Sequence, residues 1–212
     1  MKDLIKKILK EETQDEFILE IPNLSFIPNA DLTSPKGMTD AWNELLRLLN
    51  GKPFIFDDDL DLTDTHITSL GNLKSVNGYL DLSVCKNLTS LGNLQSVNGL
   101  LELSGCKNLT SLGNLQSVDG HLGLYGCNQL TSLGNLQTVN RDLTLRFTNI
   151  TSLGNLQSVG GDLGSSYTEI TSLGNLKSVG GDLYLRNTPI SKKYSEEEIR
   201  RMVDVKSEII LQ

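Results

Sequence analysis

The chain has 212 residues, 38% hydrophobic and 21% charged, with a net charge of −7 and three cysteines. That length suits a single domain with one core. It contains no apolar run of the roughly 18 residues a membrane-spanning helix needs. Lysines and arginines are spread along it rather than gathered into the basic stripe that phosphate-tracking surfaces require, so membrane spanning and nucleic-acid binding are both set aside.

In chain order, Asp3–Glu12 reads as a short amphipathic helix, with Leu4, Ile5, Ile8 and Leu9 on one side. Met1–Lys10 is charged throughout and lacks the apolar core and cleavage site of a signal peptide, so a cytoplasmic location is expected. Phe17–Ile21 is an expected strand, ended by Pro22, and Pro22–Pro35 a Pro-, Asn- and Ser-rich loop. Next comes a stronger helix, with Thr39 as expected N-cap, a broad apolar side from Ala41, Trp42, Leu45, Leu46, Leu48 and Leu49, and Gly51 just past its end. That apolar side needs a partner, and the nearest one is the first turn of a repeat array that starts near Phe56. Residues 1–55 are therefore expected to form an N-terminal cap.

In this array a unit of 20 or 21 residues recurs. Thr89-Ser90-Leu91-Gly92-Asn93-Leu94 has counterparts starting at Thr68, Thr110, Thr131, Thr151 and Thr171. Between copies lies Val97-Asn98-Gly99-Leu100-Leu101-Glu102-Leu103, with counterparts starting at Val76, Val118, Val139, Val159 and Val179. Such a period means a solenoid. The Leu101-Glu102-Leu103 alternation predicts a short half-buried strand, and leucines stepping by three predict an irregular or 3₁₀ return path. No single unit can bury its own leucine face, so the turns must stack into one cooperative core. Beyond Ile190, Ser195-Glu196-Glu197-Glu198 is a capping box opening a short helix, and Val205, Ile209 and Leu211 suggest a last edge strand. Residues 191–212 are thus expected to close the far end.

The repeat resembles the leucine-rich repeat, L-x-x-L-x-L-x-x-N/C-x-L, over Phe54–Ile190. Three residues beyond the second strand leucine stand Cys85, Cys106 and Cys127 in the 21-residue units and Thr65, Thr148, Thr168 and Thr188 in the 20-residue ones. The family places its Asn, Cys or Thr ladder in that column. The same phrases are similar to receptor L-domain-like proteins and to repeat proteins of bacterial and phage genomes. The resemblance implies an α/β solenoid: a right-handed coil with one parallel β-sheet on one face, repeats over 56–190 and helical caps at both ends.

The cysteines are expected to be reduced and buried, since an inward thiol in such a column is a small apolar filler. Ser165 breaks the leucine column and is expected to leave a small void or a water and to soften the stack there. The Thr and Asn rows beside the turns are expected to satisfy neighbouring backbone groups.

Outward positions on the strand side form three columns in which the repeats differ. Asp57, Asp58, Asp59, Asp61, Asp64, Asp81 and Glu102 make the first turns acidic, without the ligand spacing of a calcium loop. Aromatic and arginine residues near charge are what protein interfaces concentrate. The candidate partner-binding residues are Tyr79, Asp81, Leu100, Glu102, His121, Tyr125, Arg146 and Phe147. No nucleophile elbow, phosphate loop or metal motif occurs. The expected function is a non-catalytic protein-interaction module without cofactor or metal, its partner an unidentified protein. The alternative is a structural component of a phage particle or other assembly. A third reading, ice binding or carbohydrate activity, rests on the stacked threonines and paired carboxylates.

Overall fold

A computed structural model describes residues 18–212; the helix expected over Asp3–Glu12 and Phe17 at the start of the first strand lie outside the described residues. The protein is a parallel β-solenoid of about six turns. Strands are numbered in chain order. One sheet, A, runs in space β1 Leu19–Ile21, β2 Phe54–Phe56, β4 Leu73–Val76, β6 Ser96–Val97, β8 Ser117–Val118, β10 Thr138–Val139, β12 Ser158–Val159, β14 Ser178–Val179 and β16 Asp204–Val205. The other, B, runs β3 Leu60–Asp61, β5 Leu80–Asp81, β7 Leu101–Glu102, β9 Leu122–Gly123, β11 Leu143–Thr144, β13 Leu163–Gly164, β15 Leu183–Tyr184 and β17 Ile209–Ile210. Both are parallel throughout.

Only sheet B was expected. Sheet A comes from the Ser-Val dipeptide that opens each strand phrase, where Val97 pairs with Val76 on one side and Val118 on the other. From β6 to β14 each such strand is two residues long and sends one side chain inward, which is too short for any alternation to be visible in the sequence. What makes it a sheet is backbone pairing with the next coil: Gln116 N–H donates to Gln95 carbonyl at 2.8 Å, and Asp119 N–H to Val97 carbonyl at 2.9 Å. The Asn98-Gly99 corner then turns the chain into sheet B.

The core is the stack of inward columns. Val76 through Val179 from sheet A, the leucines of sheet B and the return-path leucines such as Leu109, Leu112 and Leu115 are all at most a few per cent exposed. Each return turn uses one device. In Ser90-Leu91-Gly92 the Gly92 N–H donates to Ser90 Oγ at 3.0 Å, and Gly92 sits at φ 59°, where a side chain is disfavoured. All six copies keep this bond. The hydroxyls therefore satisfy backbone groups as expected, and so do Thr110 and Thr171, whose Oγ1 atoms donate to the threonine carbonyls one coil back.

The Cys/Thr column splits by chemistry. The threonine hydroxyls donate within their own coil, Thr148 Oγ1 to Leu145 carbonyl at 2.8 Å for example. The thiols donate to the coil before, Cys106 Sγ to Leu82 carbonyl at 3.0 Å and Cys127 Sγ to Leu103 carbonyl at 3.1 Å. All three cysteines are free and buried. Burial pushes the Cys106 and Cys127 thiols up to about 12, so at neutral pH they are thiols, not thiolates, and unreactive.

Ser165 is fully buried in the leucine column, and its hydroxyl donates to Tyr184 carbonyl at 3.0 Å. That carbonyl already accepts the Ser165 N–H at 3.0 Å, so removing the hydroxyl orphans no acceptor. Ser165→Leu would gain about 1.5–3 kcal/mol of burial against about 1 kcal/mol for the hydrogen bond. We expect the melting temperature to rise by roughly 2–6 °C, read by circular dichroism. A fall would mean the column cannot admit the leucine.

Helix α1, Pro35–Leu49, lies against the first coil. Its N-cap is Ser34, not Thr39: Pro35 takes the first helical position, where a missing N–H costs nothing, and Ser34 Oγ accepts from Gly37 N–H at 3.1 Å. Thr39 instead sits inside the helix, donates to Pro35 carbonyl at 2.7 Å and accepts His66 N–H at 2.9 Å, joining helix to coil. Trp42 is fully buried, with Nε1 donating to Ser69 carbonyl at 2.9 Å. At the other end come α2, Pro189–Lys193, and α3, Glu196–Met202, which opens on the expected Ser195–Glu198 capping box. The tail adds a strand to each sheet, β16 on β14 and β17 on β15, where one edge strand was expected.

Candidate functional site

Sheet B presents the three variable columns outward. The second runs Asp81, Glu102, Gly123, Thr144, Gly164, Tyr184 across directly paired residues. The first precedes it by two residues, and the third comes two residues after it.

Much of the acidity in these columns is spent on the backbone. Asp59, Asp142, Asp162 and Asp182 each use Oδ1 to accept an N–H of the next coil, at 2.9, 2.8, 2.8 and 3.0 Å. Asp61, Asp81 and Glu102 accept the N–H two residues on in their own coil. Asp182 also accepts from the Tyr184 hydroxyl at 3.0 Å; the Ser207 hydroxyl first, then Glu208 N–H and Tyr184, hold its carboxyl below the usual range. Among the described residues no group of three or more His, Cys, Asp or Glu is placed to hold a metal ion.

The eight candidate residues fall into separate groups on this face. Tyr79 stands among the N-terminal aspartates; burial first, then Asp61, Asp59, Asp81 and Asp58, raise its phenol pKa. Asp81 and Glu102 are the backbone acceptors just described, and Leu100 is half-buried. His121 reaches the next coil, where Nδ1 accepts Asp142 N–H at 3.3 Å and lies 3.1 Å from Asp142 Oδ2.

Tyr125, Arg146 and Phe147 do converge, and Tyr167 joins them. Tyr125 meets Phe147 edge-on at 5.3 Å between ring centroids, and Phe147 stacks on Tyr167 at 5.4 Å. The Arg146 guanidinium lies 5.6 Å from the Phe147 centroid and 5.4 Å from that of Tyr167. The three rings are 48%, 44% and 45% exposed. Phe147 and Tyr167 occupy the position where the other coils carry Asp64, Val84, Gly105, Gly126 and Asn187, all at φ between 54° and 76°. A bulky residue there is strained by roughly 1–2 kcal/mol, and such strain gathers at working surfaces.

Beside this row is a groove of about 370 Å³, floored by Thr144, Gly164 and Ser166 and rimmed by Asp142, Asp162, Arg146, Tyr167, Tyr184 and Arg186. Tyr167, Tyr184 and Arg186 were not among the residues expected to bind. Tyr184 and Arg186 lie in the outward columns, where the small Gly164 and Ser166 beside them were the readable signal. Tyr167 stands just past the strand, where alternation no longer predicts direction; only the left-handed turn exposes it.

The chain matches no protein-family model, no curated protein and no solved structure. No helix among the described residues is long and apolar enough to cross a membrane.

Proposed function

We propose that this chain is a leucine-rich-repeat-like, cytoplasmic, non-catalytic protein-interaction module, a right-handed coil closed by helical caps, whose working surface is the outer face of sheet B. The observation that carries the reading is the exposed Tyr125–Phe147–Tyr167 row with Arg146 lying on it. Large rigid aromatics and arginine supply most of the energy at protein interfaces. Here two of the rings are kept at a cost in backbone strain that glycine, present at the same position in two neighbouring coils, would avoid.

That equivalence also supplies the test. Tyr125→Ala/Phe147→Gly/Tyr167→Gly removes the row while placing glycine where the backbone favours it, so the variant should melt within about 3 °C of wild type. In affinity capture from lysate of the source organism, a protein retained by wild type and lost by this variant is the expected result. If both retain the same proteins, or neither retains any, the face is not the working surface. The second reading, a structural part of a phage particle or other assembly, then moves ahead. It draws on the bonds that tie coil to coil outside the sheets, such as Asn93 Nδ2 to Asn72 Oδ1 at 2.6 Å.

A further inference from the structure

Within the groove, the third outward column carries Arg146, Ser166 and Arg186 on three successive coils, each two residues beyond the directly paired Thr144, Gly164 and Tyr184. Neighbouring parallel strands are about 4.8 Å apart, so one ligand group on the middle coil is within reach of long side chains from both flanks. Three features of this row point the same way.

Ser166 is 5% exposed and lines the groove floor, a small hydroxyl-bearing residue between two coils that carry arginine at the same column. A small side chain there leaves room for a ligand group between the arginines, and its hydroxyl can donate to that group.

The two arginines are the second feature. Arg47, Arg200 and Arg201 each pair with a glutamate one helical turn away. Arg146 and Arg186 form no ion pair among the described residues, in a chain where acids outnumber bases by 26 to 19. The two carboxylates that line the groove, Asp142 and Asp162, each accept a backbone N–H of the next coil through Oδ1.

The third is preorganisation. The exposed Arg146 guanidinium lies by the Phe147 and Tyr167 rings, which favours one direction for it along the row and leaves its N–H edge available for a planar oxyanion.

We propose that this row seats a carboxylate of an acidic segment of the partner protein. The carboxylate lies between Arg146 and Arg186 and accepts from the Ser166 hydroxyl, with Tyr167 and Tyr184 bounding the segment. The inference rests on the reading of sheet B as a protein-binding face and names the chemistry of what binds there.

The test uses the full chain and a fluorescein-labelled, end-blocked hexaglutamate peptide, with hexaglutamine and hexalysine as controls, read by anisotropy at low salt. Hexaglutamate should bind and the controls should not. Arg146→Gln and Arg186→Gln should each weaken binding about tenfold, the scale of one charge-assisted pair. Ser166→Ala should weaken it less, and Arg201→Gln, on a distant helix, should leave it unchanged. Absence of hexaglutamate binding to wild type, or binding indifferent to both arginine substitutions, overturns the proposal. Inorganic phosphate binding with the same arginine dependence while hexaglutamate does not bind also overturns it, and assigns the row to a small oxyanion. If the peptide fails but a captured protein is still lost on removing the aromatic row, the acidic inference falls alone and the interaction reading stands.

Discussion

Trp42→Ala is expected to destabilise the protein by about 3–5 kcal/mol, the range for emptying a buried tryptophan site. Trp42 is fully enclosed, its ring 6.0 Å from that of Phe54, and its Nε1–H fills the Ser69 carbonyl at the first return turn. Truncation removes the packing and leaves that carbonyl without its donor. It also loosens the seat of α1, whose Leu46 lies close over Gly71 of the same turn. Against a typical total of 5–15 kcal/mol, the loss should be plain in a urea titration as a lower midpoint. Trp42→Phe separates the causes: packing is mostly kept and only the hydrogen bond goes, for about 1 kcal/mol. A Trp42→Ala cost below about 1 kcal/mol would mean that α1 contributes little to holding the first coil.

The second large effect is expected at Gly120, in the corner between β8 and β9. A Cβ there would stand 2.4 Å from Gly99 carbonyl oxygen, 2.5 Å from its carbon and 2.6 Å from Leu100 nitrogen. All three are backbone atoms of the coil below and cannot swing aside. The Gly120 N–H also donates to that same Gly99 oxygen at 3.0 Å, so relief by separation would break the coil-to-coil bond. Gly120→Ala should therefore cost about 3 kcal/mol, at the upper end of overpacking penalties, and lower the melting temperature by roughly 6–12 °C. Because the corner lies mid-solenoid, the coils on either side should loosen first, visible as lost amide protection in hydrogen exchange between Val97 and Leu145. An unchanged melting temperature would show that the coils can move apart at their corners without penalty.

The sequence by itself determined the repeat, its register and its core. A 20- or 21-residue period of leucines leaves one way to bury them, so Leu101, Leu103 and Leu109 could be placed inside without any tertiary knowledge, as could the serine-glycine turns and the Ser195 capping box. Local chemistry acting within a few residues, or a period repeated six times, is legible. What acts between coils is not. The second sheet exists because short segments pair with copies 20 or 21 positions away. Thr39 carries every mark of an N-cap, yet it serves the first coil while Ser34 caps the helix. The aspartates of the outward columns read as a solvated acidic surface until their oxygens are seen holding the next coil's N–H groups.

The candidate site divides along the same line. Tyr125 and Arg146 are predictable from strand alternation, which sets direction one residue at a time. The alignment of Phe147 with Tyr167, the seat of Ser166 at the groove floor and the placing of Arg146 and Arg186 on either side of it depend on stacking geometry and on a left-handed turn after the strand. These are properties of neighbouring coils in contact, and only the tertiary structure could decide them.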